Sequence, residues 1–402
     1  MILQTPDNYN RGVRYLARGD YNKAISFFKR EVVEFKELYL NLGSCYSSTG
    51  RDNKALDNYL KAIDNSVRFA NGATGPYPEA LNNIGLLHYT YEQDLRAIDY
   101  YTAALNANPY YHTARWHRSL SGLRRWVSGY TDVDHRTALI DYDFRFYTSS
   151  RPTGIDDTIP RWDGEAGGES IIVLGEQGIG DTFQWMRYVN LLKSRFNKVY
   201  VQLPTSLHEL HSDYNVVNQV SECDAKVSVP VCSLTRYFEL NSASCNYLSR
   251  PTGHDFGAGT HVGVVGVGNV SHINNYRRSC GMSWFNDLVG CGSKLYNLTP
   301  GARSMKGITP LNPRTWLETA KYISGLDLVI TVDTSVAHLA GVLGVPCWVL
   351  MPLADSDWRW GDSTCGGANA WYPSVTVFRN PNDWRVVFNN VKECLIDFNS
   401  KS

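Results

Sequence analysis

Two segments of the chain place a short apolar run directly before a tight turn and a helical pattern. Residues 171–174 are followed by the glycine loop 175–181, and residues 328–332 are followed by the turn 333–335. A further apolar run comes after each helical pattern. Strand, helix and strand in this order require a parallel sheet, because a crossover must return the chain in the same direction. Ligands of such sheets bind beyond the carboxyl ends of the strands.

The first loop argues against two common ligands. A P-loop needs Gly-Lys-Ser/Thr, whereas Gly180 is followed by Asp181, whose carboxylate would repel phosphate. A dinucleotide site needs GxGxxG and an acidic residue at the end of the second strand, but this loop reads GxxGxG and the second run ends before Pro204. We therefore expect neither ATP hydrolysis nor NAD binding.

The second turn opens a helix directly from a strand end. The unpaired amides and the positive dipole of such a helix suit a diphosphate. His338 lies one turn into this helix, opposite Ser335, where capping alone would favour Glu or Gln. The residues leave simpler roles open. Ser335 or Asp333 could serve only as an N-cap, His338 only as packing, and Asp181 only as a helix-start carboxylate.

The first third of the chain repeats one pattern three times. A glycine stands twelve residues before an alanine, and an aromatic residue follows the alanine by four. Small residues let paired helices approach closely, and we expect the aromatic ring to fill the gap between neighbouring hairpins. The pattern predicts three helix-turn-helix units. Its members are Gly12, Ala24 and Phe28, then Gly43, Ala55 and Tyr59, then Gly85, Ala97 and Tyr101.

The second and third units resemble the tetratricopeptide repeat. The matching positions are Gly43, Tyr46, Ala55, Tyr59 and Ala62, and Gly85, Ala97, Tyr101, Ala104 and Pro109. The resemblance implies an α-solenoid whose concave surface holds a protein partner or a sister subunit. Homo-oligomerisation therefore stays open.

The chain as a whole is similar to bacterial and phage proteins in which tetratricopeptide repeats precede a domain like the ADP-heptose heptosyltransferases. The likeness rests on residues 114–120, 162–165, 175–182 with Arg187-Tyr188, 326–341 and 357–360. It implies an N-terminal repeat solenoid followed by a GT-B fold, in which two Rossmann-like α/β domains face each other across a cleft. The expected domains are 1–126 (repeats and capping helix), 127–169 (linker), 170–255 (acceptor side), 256–384 (nucleotide-sugar donor side) and 385–402 (C-terminal helix and tail).

The resemblance also implies roles for individual residues. Asp181 would be the general base for the acceptor hydroxyl, and Asp333 would orient the sugar or the ribose. Donor binding would fall to Gly178, Gly180, Arg278, Ser279, Asp333, Thr334, Ser335 and His338. Gln177, Asp357, Trp358 and Arg359 would line the cleft.

Several positions depart from the family pattern. Gly266-Val267-Gly268-Asn269 replaces Trp-Ser-Gly-Asn, Asn274-Asn275-Tyr276 replaces Asn-Asp-Arg, and Thr299-Pro300 replaces Gln and Lys. These departures leave the donor undefined and keep a non-catalytic adaptor as an alternative.

No metal or cofactor is expected. Asp355-Ser356-Asp357 reads as the DxD motif of metal-dependent glycosyltransferases, but it lies within a stretch that matches the family's Asp-Trp-Arg-Trp, so cleft lining or packing is expected instead.

Composition limits the partners and the compartment. The 39 basic and 39 acidic residues cancel, which leaves no global field for nucleic acid, so glycosylation of a modified DNA base is a minor alternative. With no charged and apolar leader and no long apolar run, we expect a cytoplasmic protein, in the host cytoplasm if it is phage-encoded. Nine scattered cysteines indicate reduced thiols.

The resemblance thus implies an inverting, metal-independent transfer of a sugar from a nucleotide donor to an acceptor hydroxyl. The acceptor (protein, glycan or modified DNA base) is left undefined.

Overall fold

The computed structural model describes residues 7–64, 66–239, 242–270, 275–352, 356–361, 367–380 and 383–401. The chain forms two compact units. The helical unit comprises Met1–Trp126 and Thr131–Ser150, and the sheet unit comprises Val127–Tyr130 and Arg151–Ser402.

The helical unit begins with three helical hairpins, as the repeat pattern predicts. A seventh helix follows them, and an eighth precedes the sheet unit. Their bounds are α1 Asp7–Ala17, α2 Tyr21–Phe28, α3 Lys36–Ser47, α4 Asp52–Ile63, α5 Pro78–Thr90, α6 Asp94–Ala107, α7 His112–Val127 and α8 His135–Tyr142.

Each repeat glycine lies under the aromatic ring of its own hairpin. A Cβ atom added at Gly43 would lie 2.4 Å from Tyr59 Cε1, and one at Gly85 would lie 2.6 Å from Tyr101 Cε1. The first hairpin repeats the contact with Phe28. The ring therefore fills the space within a hairpin, which differs from the expected packing between neighbouring hairpins.

A buried ion pair ties α7 to the third hairpin. The guanidinium of Arg124 on α7 donates to both carboxylate oxygens of Asp94 on α6, at 2.9 and 2.7 Å, and to the Tyr89 carbonyl oxygen at 2.7 Å. Both charged side chains are almost fully buried. Removing one partner would strand the other charge, so the pair specifies where α7 packs.

The segment 127–169 is not the single linker that the sequence predicts. Helix α8 belongs to the helical unit, because Ala138, Leu139 and Tyr142 form a buried apolar face. The later part belongs to the sheet unit, where Trp162 is buried and its backbone nitrogen donates to the Ser228 carbonyl oxygen.

The sheet unit contains two sheets, each built on strand–helix–strand connections. The first sheet is parallel throughout and has the order β3-β2-β1-β4. Its elements are β1 Gly168–Leu174, α9 Ile179–Trp185, α10 Val189–Leu192, β2 Phe196–Gln202, β3 Asn215–Val217 and β4 Val227–Pro230.

The second sheet has the order β10-β11-β9-β8-β5-β6-β7, and β10 alone runs antiparallel to its neighbour. Its elements are β5 Thr260–Val265, α11 Asn275–Arg278, β6 Ser293–Asn297, β7 Ile308–Pro310, α12 Trp316–Gly325, β8 Leu328–Val332, α13 Ser335–Val342, β9 Cys347–Pro352, β10 Gly367–Ala368, β11 Val375–Asn380 and α14 Trp384–Lys401. A helical N-terminal region is thus followed by a parallel-sheet α/β region, which confirms the predicted fold class.

The helical pattern that follows the glycine loop 175–181 is interrupted. Its apolar positions in the sequence are Phe183, Met186, Val189, Leu192 and Phe196. Helix α9 ends at Trp185, a 3-10 turn covers Met186–Tyr188, and α10 follows. The apolar spacing survives the interruption, because the turn keeps Met186 on the same buried face as Phe183. Phe196 already belongs to β2.

Helix α14 is part of the core of the second sheet. Its buried face packs in the same cluster as Phe285 of the 3-10 helix Met282–Leu288. The buried residues of α14 are Val387, Phe388, Val391 and Leu395. Among the described residues, none of the helices combines the length and the apolar character that a membrane span requires.

The repeat contact predicts that Gly43→Ala destabilises the helical unit by about 1–2 kcal/mol, because the added methyl overlaps the Tyr59 ring. Without that overlap the same change inside a helix would stabilise by about 1 kcal/mol. Urea unfolding followed by circular dichroism measures the difference.

The matched background is Tyr59→Leu, in which the shorter side chain leaves room for the methyl. There we expect Gly43→Ala to be neutral or stabilising. An equal loss of stability in both backgrounds would show that the ring is not the obstacle.

Candidate functional site

A cavity of about 540 Å³ lies beyond the carboxyl ends of β1 and β8. Helices α9 and α13 begin at these two strand ends and pack against each other. A Cβ atom at Gly180 would lie 2.8 Å from Cδ2 of His338. The cavity is lined by Gln177, Gly178, Ile179, Gly180, Asp181, Asn269, Arg278, Asp333, Thr334, Ser335, His338, Asp357 and Arg359.

Of the predicted site residues, only Ser279 and Trp358 are absent from this lining. The Ser279 hydroxyl accepts from the Gly268 amide at 3.0 Å and so holds the loop behind Arg278. Trp358 is buried and packs against Trp185 and Trp371, with ring centroids 6.0 Å away in both cases. Both residues support the site without facing the cavity.

Asp181 connects the start of α9 to the second sheet. Its Oδ2 atom accepts from the Gly178 amide at 2.9 Å, and its Oδ1 atom lies 2.5 Å from Arg359 Nη2. Asp181 therefore does serve the helix start, as the simpler interpretation holds, but only through one oxygen. Burial raises the pKa of Asp181, and the charge of Arg359 opposes that rise.

Arg359 bridges two carboxylates. Its Nη1 atom donates to both oxygens of Asp357, at 3.0 and 2.9 Å, while Nη2 pairs with Asp181. The Arg359 side chain is 6% exposed, whereas the side chains of Asp181 and Asp357 are 18% and 35% exposed and reach the cavity. Although burial acts to raise the pKa of Asp357, Arg359 holds it below its ordinary value.

The start of α13 is open to the cavity. The N-cap is Thr334, and within the described chain no side chain caps this helix. The alternative that Ser335 or Asp333 acts as the N-cap is therefore wrong. The Asp333 carboxylate instead accepts from Trp360 Nε1 at 2.9 Å, and the Thr334 hydroxyl pairs with Thr331 Oγ1 at 3.0 Å.

Arg278 supplies a cation to the same cavity. Its Nε atom is buried without a hydrogen-bond partner, and its charge acts to lower the pKa of Asp333, which lines the same cavity. A Cβ atom at Gly268 would lie 2.8 Å from this Nε atom, so the glycine gives Arg278 its place. A cation that lines a cavity favours an anionic ligand, which would balance its charge.

His338 is buried and neutral. Its Nδ1 atom lies 3.1 Å from the Tyr372 hydroxyl, and burial lowers the pKa of the imidazole to about 3, with help from the charge of Arg359. Gly341 makes room for Tyr372, because a Cβ atom there would lie 2.5 Å from Tyr372 Cγ. With Nδ1 occupied, Nε2 is the ring nitrogen left for the cavity.

Sequence reasoning missed Tyr372 and the role of Trp360 as a partner of Asp333. Tyr372 lies 34 residues beyond His338 and on no recognised motif. Arg187 lies behind it, with its guanidinium carbon 4.8 Å from the Tyr372 ring centroid and its Nη1 atom bonded to the Trp371 carbonyl oxygen at 2.8 Å. Burial raises the pKa of Tyr372, so the hydroxyl keeps its proton.

The family departures lie beside the cavity. The Gly266 carbonyl accepts from the amides of Cys280 and Gly281, and a Cβ atom at Gly266 would lie 2.9 Å from the Gly281 carbonyl oxygen. Val267, Thr299 and Pro300 do not contribute to the cavity lining. Asn274 and the Tyr276 side chain lie outside the described residues.

The DxD reading cannot be placed in full, because Asp355 lies outside the described residues. Asp357 pairs with Arg359. In the part of the chain that the structure describes, no three His, Cys, Asp or Glu side chains converge to hold a metal ion.

The tetratricopeptide repeat family matches residues 36–66, which is the hairpin of α3 and α4. A comparison with curated proteins gave no match.

Among solved structures, MamA is 22% identical with a TM-score of 0.28, over 35% of this chain and 70% of MamA. The O-GlcNAc transferase of Thermobaculum terrenum is 12% identical with a TM-score of 0.36, over 99% of this chain and 94% of that chain. The iron-containing dodecameric glycosyltransferase TibC of enterotoxigenic E. coli is 8% identical with a TM-score of 0.40, over 61% and 78%. At these TM-scores none of the three assigns an activity to this chain, and the heptosyltransferase resemblance stays a prediction.

The Tyr372 contact predicts that neutral His338 carries its proton on Nε2. The Tyr372 hydroxyl keeps its proton and lies 3.1 Å from His338 Nδ1, so we expect it to donate to this nitrogen. In ¹⁵N NMR of the histidine-labelled protein, we expect an unprotonated Nδ1 in the wild type and a mixture of tautomers in Tyr372→Phe.

His211 is the internal reference in the same spectrum. Its Nδ1 atom lies 3.0 Å from the Leu207 carbonyl oxygen, which can only accept, so His211 must carry its proton on Nδ1. A protonated Nδ1 on His338 in the wild type would contradict the assignment.

Asp333 predicts a second measurable effect. Burial and the neighbouring Asp357 raise its pKa to about 6, so ionising Asp333 costs the folded protein more than the unfolded chain. Stability from this group is present below pH 4 and is lost as the pH rises to about 6. We expect Asp333→Asn to stabilise the protein by about 1–2 kcal/mol at pH 8 and by little at pH 4.

Thermal unfolding across this pH range measures the effect, with the exposed Glu209→Gln as the control. A gain that is the same at pH 4 and pH 8 would rule out the electrostatic cause.

Proposed function

We propose that the chain is a glycosyltransferase that takes a nucleotide-sugar donor and an acceptor hydroxyl, without a catalytic metal ion. One observation carries the proposal. Arg278 and the uncapped amides of α13 face the same cavity as the carboxylate of Asp181. An anion-binding group opposite a buried base is what group transfer from a diphosphate requires.

The donor diphosphate lies at the start of α13. The orphan amides of the first turn and the Arg278 guanidinium donate to its oxygens. His338 adds a neutral donor through Nε2, so the site gains a hydrogen bond without a further charge. The volume of about 540 Å³ lies in the range of small-ligand sites.

Transfer is a single displacement in this proposal. The acceptor oxygen attacks the anomeric carbon as Asp181 takes the hydroxyl proton, and the bond between the anomeric carbon and the diphosphate oxygen breaks. The electron pair leaves with the nucleoside diphosphate, whose new charge is met by Arg278 and the α13 amides. Attack from the side opposite the leaving group inverts the anomeric centre.

Arg359 sets the state of the base. Arg359 pairs with Asp181 and Asp357 at the same time. In this proposal acceptor binding releases Asp181, and Arg359 Nη1 stays bonded to both carboxylate oxygens of Asp357. Burial then raises the basicity of the freed carboxylate.

The repeats act in recruitment. Tetratricopeptide arrays present extended surfaces to protein partners, and the hairpin of α3 and α4 matches that family. In this proposal the helical unit brings the acceptor or a partner protein to the transferase.

The proposal predicts selective binding of one nucleotide or nucleotide sugar among UDP, GDP, ADP, CMP and their common sugar conjugates. Isothermal titration calorimetry in the presence of EDTA measures it. We expect Arg278→Ala to weaken binding by about tenfold or more, because a cation that lines the cavity and faces the diphosphate is lost. The exposed Arg303→Ala is the matched control.

Asp181→Asn separates binding from transfer. We expect donor affinity within about twofold of the wild type and a loss of turnover of about 10²-fold or more, measured as nucleotide release with a panel of acceptors. Nucleotide binding with full turnover in Asp181→Asn would remove the base assignment. Failure of all nucleotides to bind would favour the non-catalytic adaptor.

A further inference from the structure

A second cavity, of about 430 Å³, opens beside the first one at the carboxyl ends of β1 and β2. We call it the side cavity. Its wall includes Gln177, Gly178 and Ile179, which also line the first cavity, of about 540 Å³, here called the donor cavity. We infer that the side cavity binds the acceptor, and that this acceptor is an uncharged molecule rich in hydroxyl or amide groups. The inference rests on the proposed transferase function.

The side cavity is built by close backbone contacts. A Cβ atom at Gly175 would lie 2.7 Å from the Gln202 carbonyl oxygen, so this glycine lets β1 end against β2. Gly154 has a φ of 86°, which favours glycine, and a Cβ atom added there would lie 3.3 Å from the Gly175 carbonyl oxygen. These two glycines fix the shape of the floor and of one rim.

Neutral hydrogen-bonding groups dominate the wall. The Thr205 hydroxyl donates to Asn218 Oδ1 at 2.8 Å, which directs the Asn218 amide nitrogen away from that bond. The Gln202 side-chain oxygen is buried without a hydrogen-bond partner. Thr153 and Thr182 add two further hydroxyls. An acceptor atom that is buried and unpaired favours a ligand that donates to it.

The side cavity lacks the cations of the donor cavity, where Arg278 and Arg359 stand among three carboxylates. Within the described residues its lining contains no Lys, Arg or His, and its one charged group is Glu176. One carboxylate oxygen of Glu176 accepts from the Cys232 amide at 3.1 Å. The guanidinium of Arg359 lies 3.4 Å from Gln177 Oε1, but it is already paired with Asp181 and Asp357.

This charge pattern decides the class of acceptor. A phosphate or carboxylate in the side cavity would lose its hydration, find no cation in return, and be repelled by Glu176. A sugar or another polyol would lose only hydrogen bonds that amides and hydroxyls replace. The two cavities thus divide the substrates by charge, with the anion at α13 and the neutral molecule at β2.

The shared wall places the acceptor beside the base. The amide of Gly178, which lines both cavities, donates to Asp181 Oδ2. Asp181 lines the donor cavity, so an acceptor hydroxyl must extend from the side cavity past Gly178 to contact the Asp181 carboxylate. The geometry needed for proton transfer therefore follows from the position of the wall.

The test uses the full chain and defined sugar probes. Methyl glucoside and N-acetylglucosamine are the uncharged probes, and glucose 6-phosphate and glucuronate are the anionic probes. Saturation-transfer NMR measures binding with and without the nucleotide that binds best. We expect the uncharged probes to bind and the anionic probes to bind at least about tenfold more weakly.

Thr205→Trp fills the side cavity from its rim, and Ser206→Trp is the matched control, because Ser206 is exposed on the same 3-10 turn and does not line the cavity. We expect Thr205→Trp to weaken the uncharged probes by about tenfold or more and Ser206→Trp to leave them unchanged. Nucleotide affinity should stay within about twofold in both variants.

Asn218→Arg tests the charge argument directly, since a cation in the wall should raise the affinity for glucose 6-phosphate by about tenfold. Tighter binding of the anionic probes to the wild type, no binding of either uncharged probe, or binding that Thr205→Trp leaves intact would overturn the inference. Absence of nucleotide binding would contradict the transferase proposal. It would not affect the test of uncharged-ligand binding in the side cavity, because the sugar probes are also measured without nucleotide.

Discussion

The ion pairs of Arg359 connect the two sheets at the place where their strands end. Asp181 follows β1 of the first sheet, while Asp357 and Arg359 follow β9 of the second. Arg359 brings one positive charge to two carboxylates, so it holds Asp181 and Asp357 together and still balances one of them when the other is released. These pairs set the distance between the start of α9 and the 3-10 turn Trp358–Trp360, both of which border the cavity.

The sequence did not predict the ion pairs of Arg359, but it placed residues beside the cavity where the signal was local. A strand that ends in a glycine or serine turn and continues as a helix defines its own ligand-facing end, so Asp181, Ser335 and His338 could be brought together without coordinates. The glycine and aromatic spacing of the repeats was equally local, and each pair is found within one hairpin. The ring position within the hairpin could not be predicted, since spacing alone does not say which of two neighbouring gaps a side chain fills.

The parts that the sequence could not predict depend on distant contacts. Tyr372 reaches His338 across 34 residues, and Trp360 reaches Asp333 across 27. Neither pair shares a periodicity, so only the folded chain identifies them. The same holds for α8, which lies in the segment expected to be a linker. Only the folded chain shows that its apolar face is buried.

The wall between the two cavities carries a cost in stability. Gln177 has a φ of 59°, in the left-handed region that a residue with a side chain adopts at a cost of about 1–3 kcal/mol. This conformation is what sets Gln177 Oε1 against Arg359 and at the same time exposes the Gly178 amide to Asp181. A glycine at position 177 would relieve the backbone strain, but it would remove the Gln177 side-chain amide, which lines both cavities. The strained backbone of Gln177 and the raised pKa of Asp333 are two features that lower stability, and both belong to residues that line the same cavity.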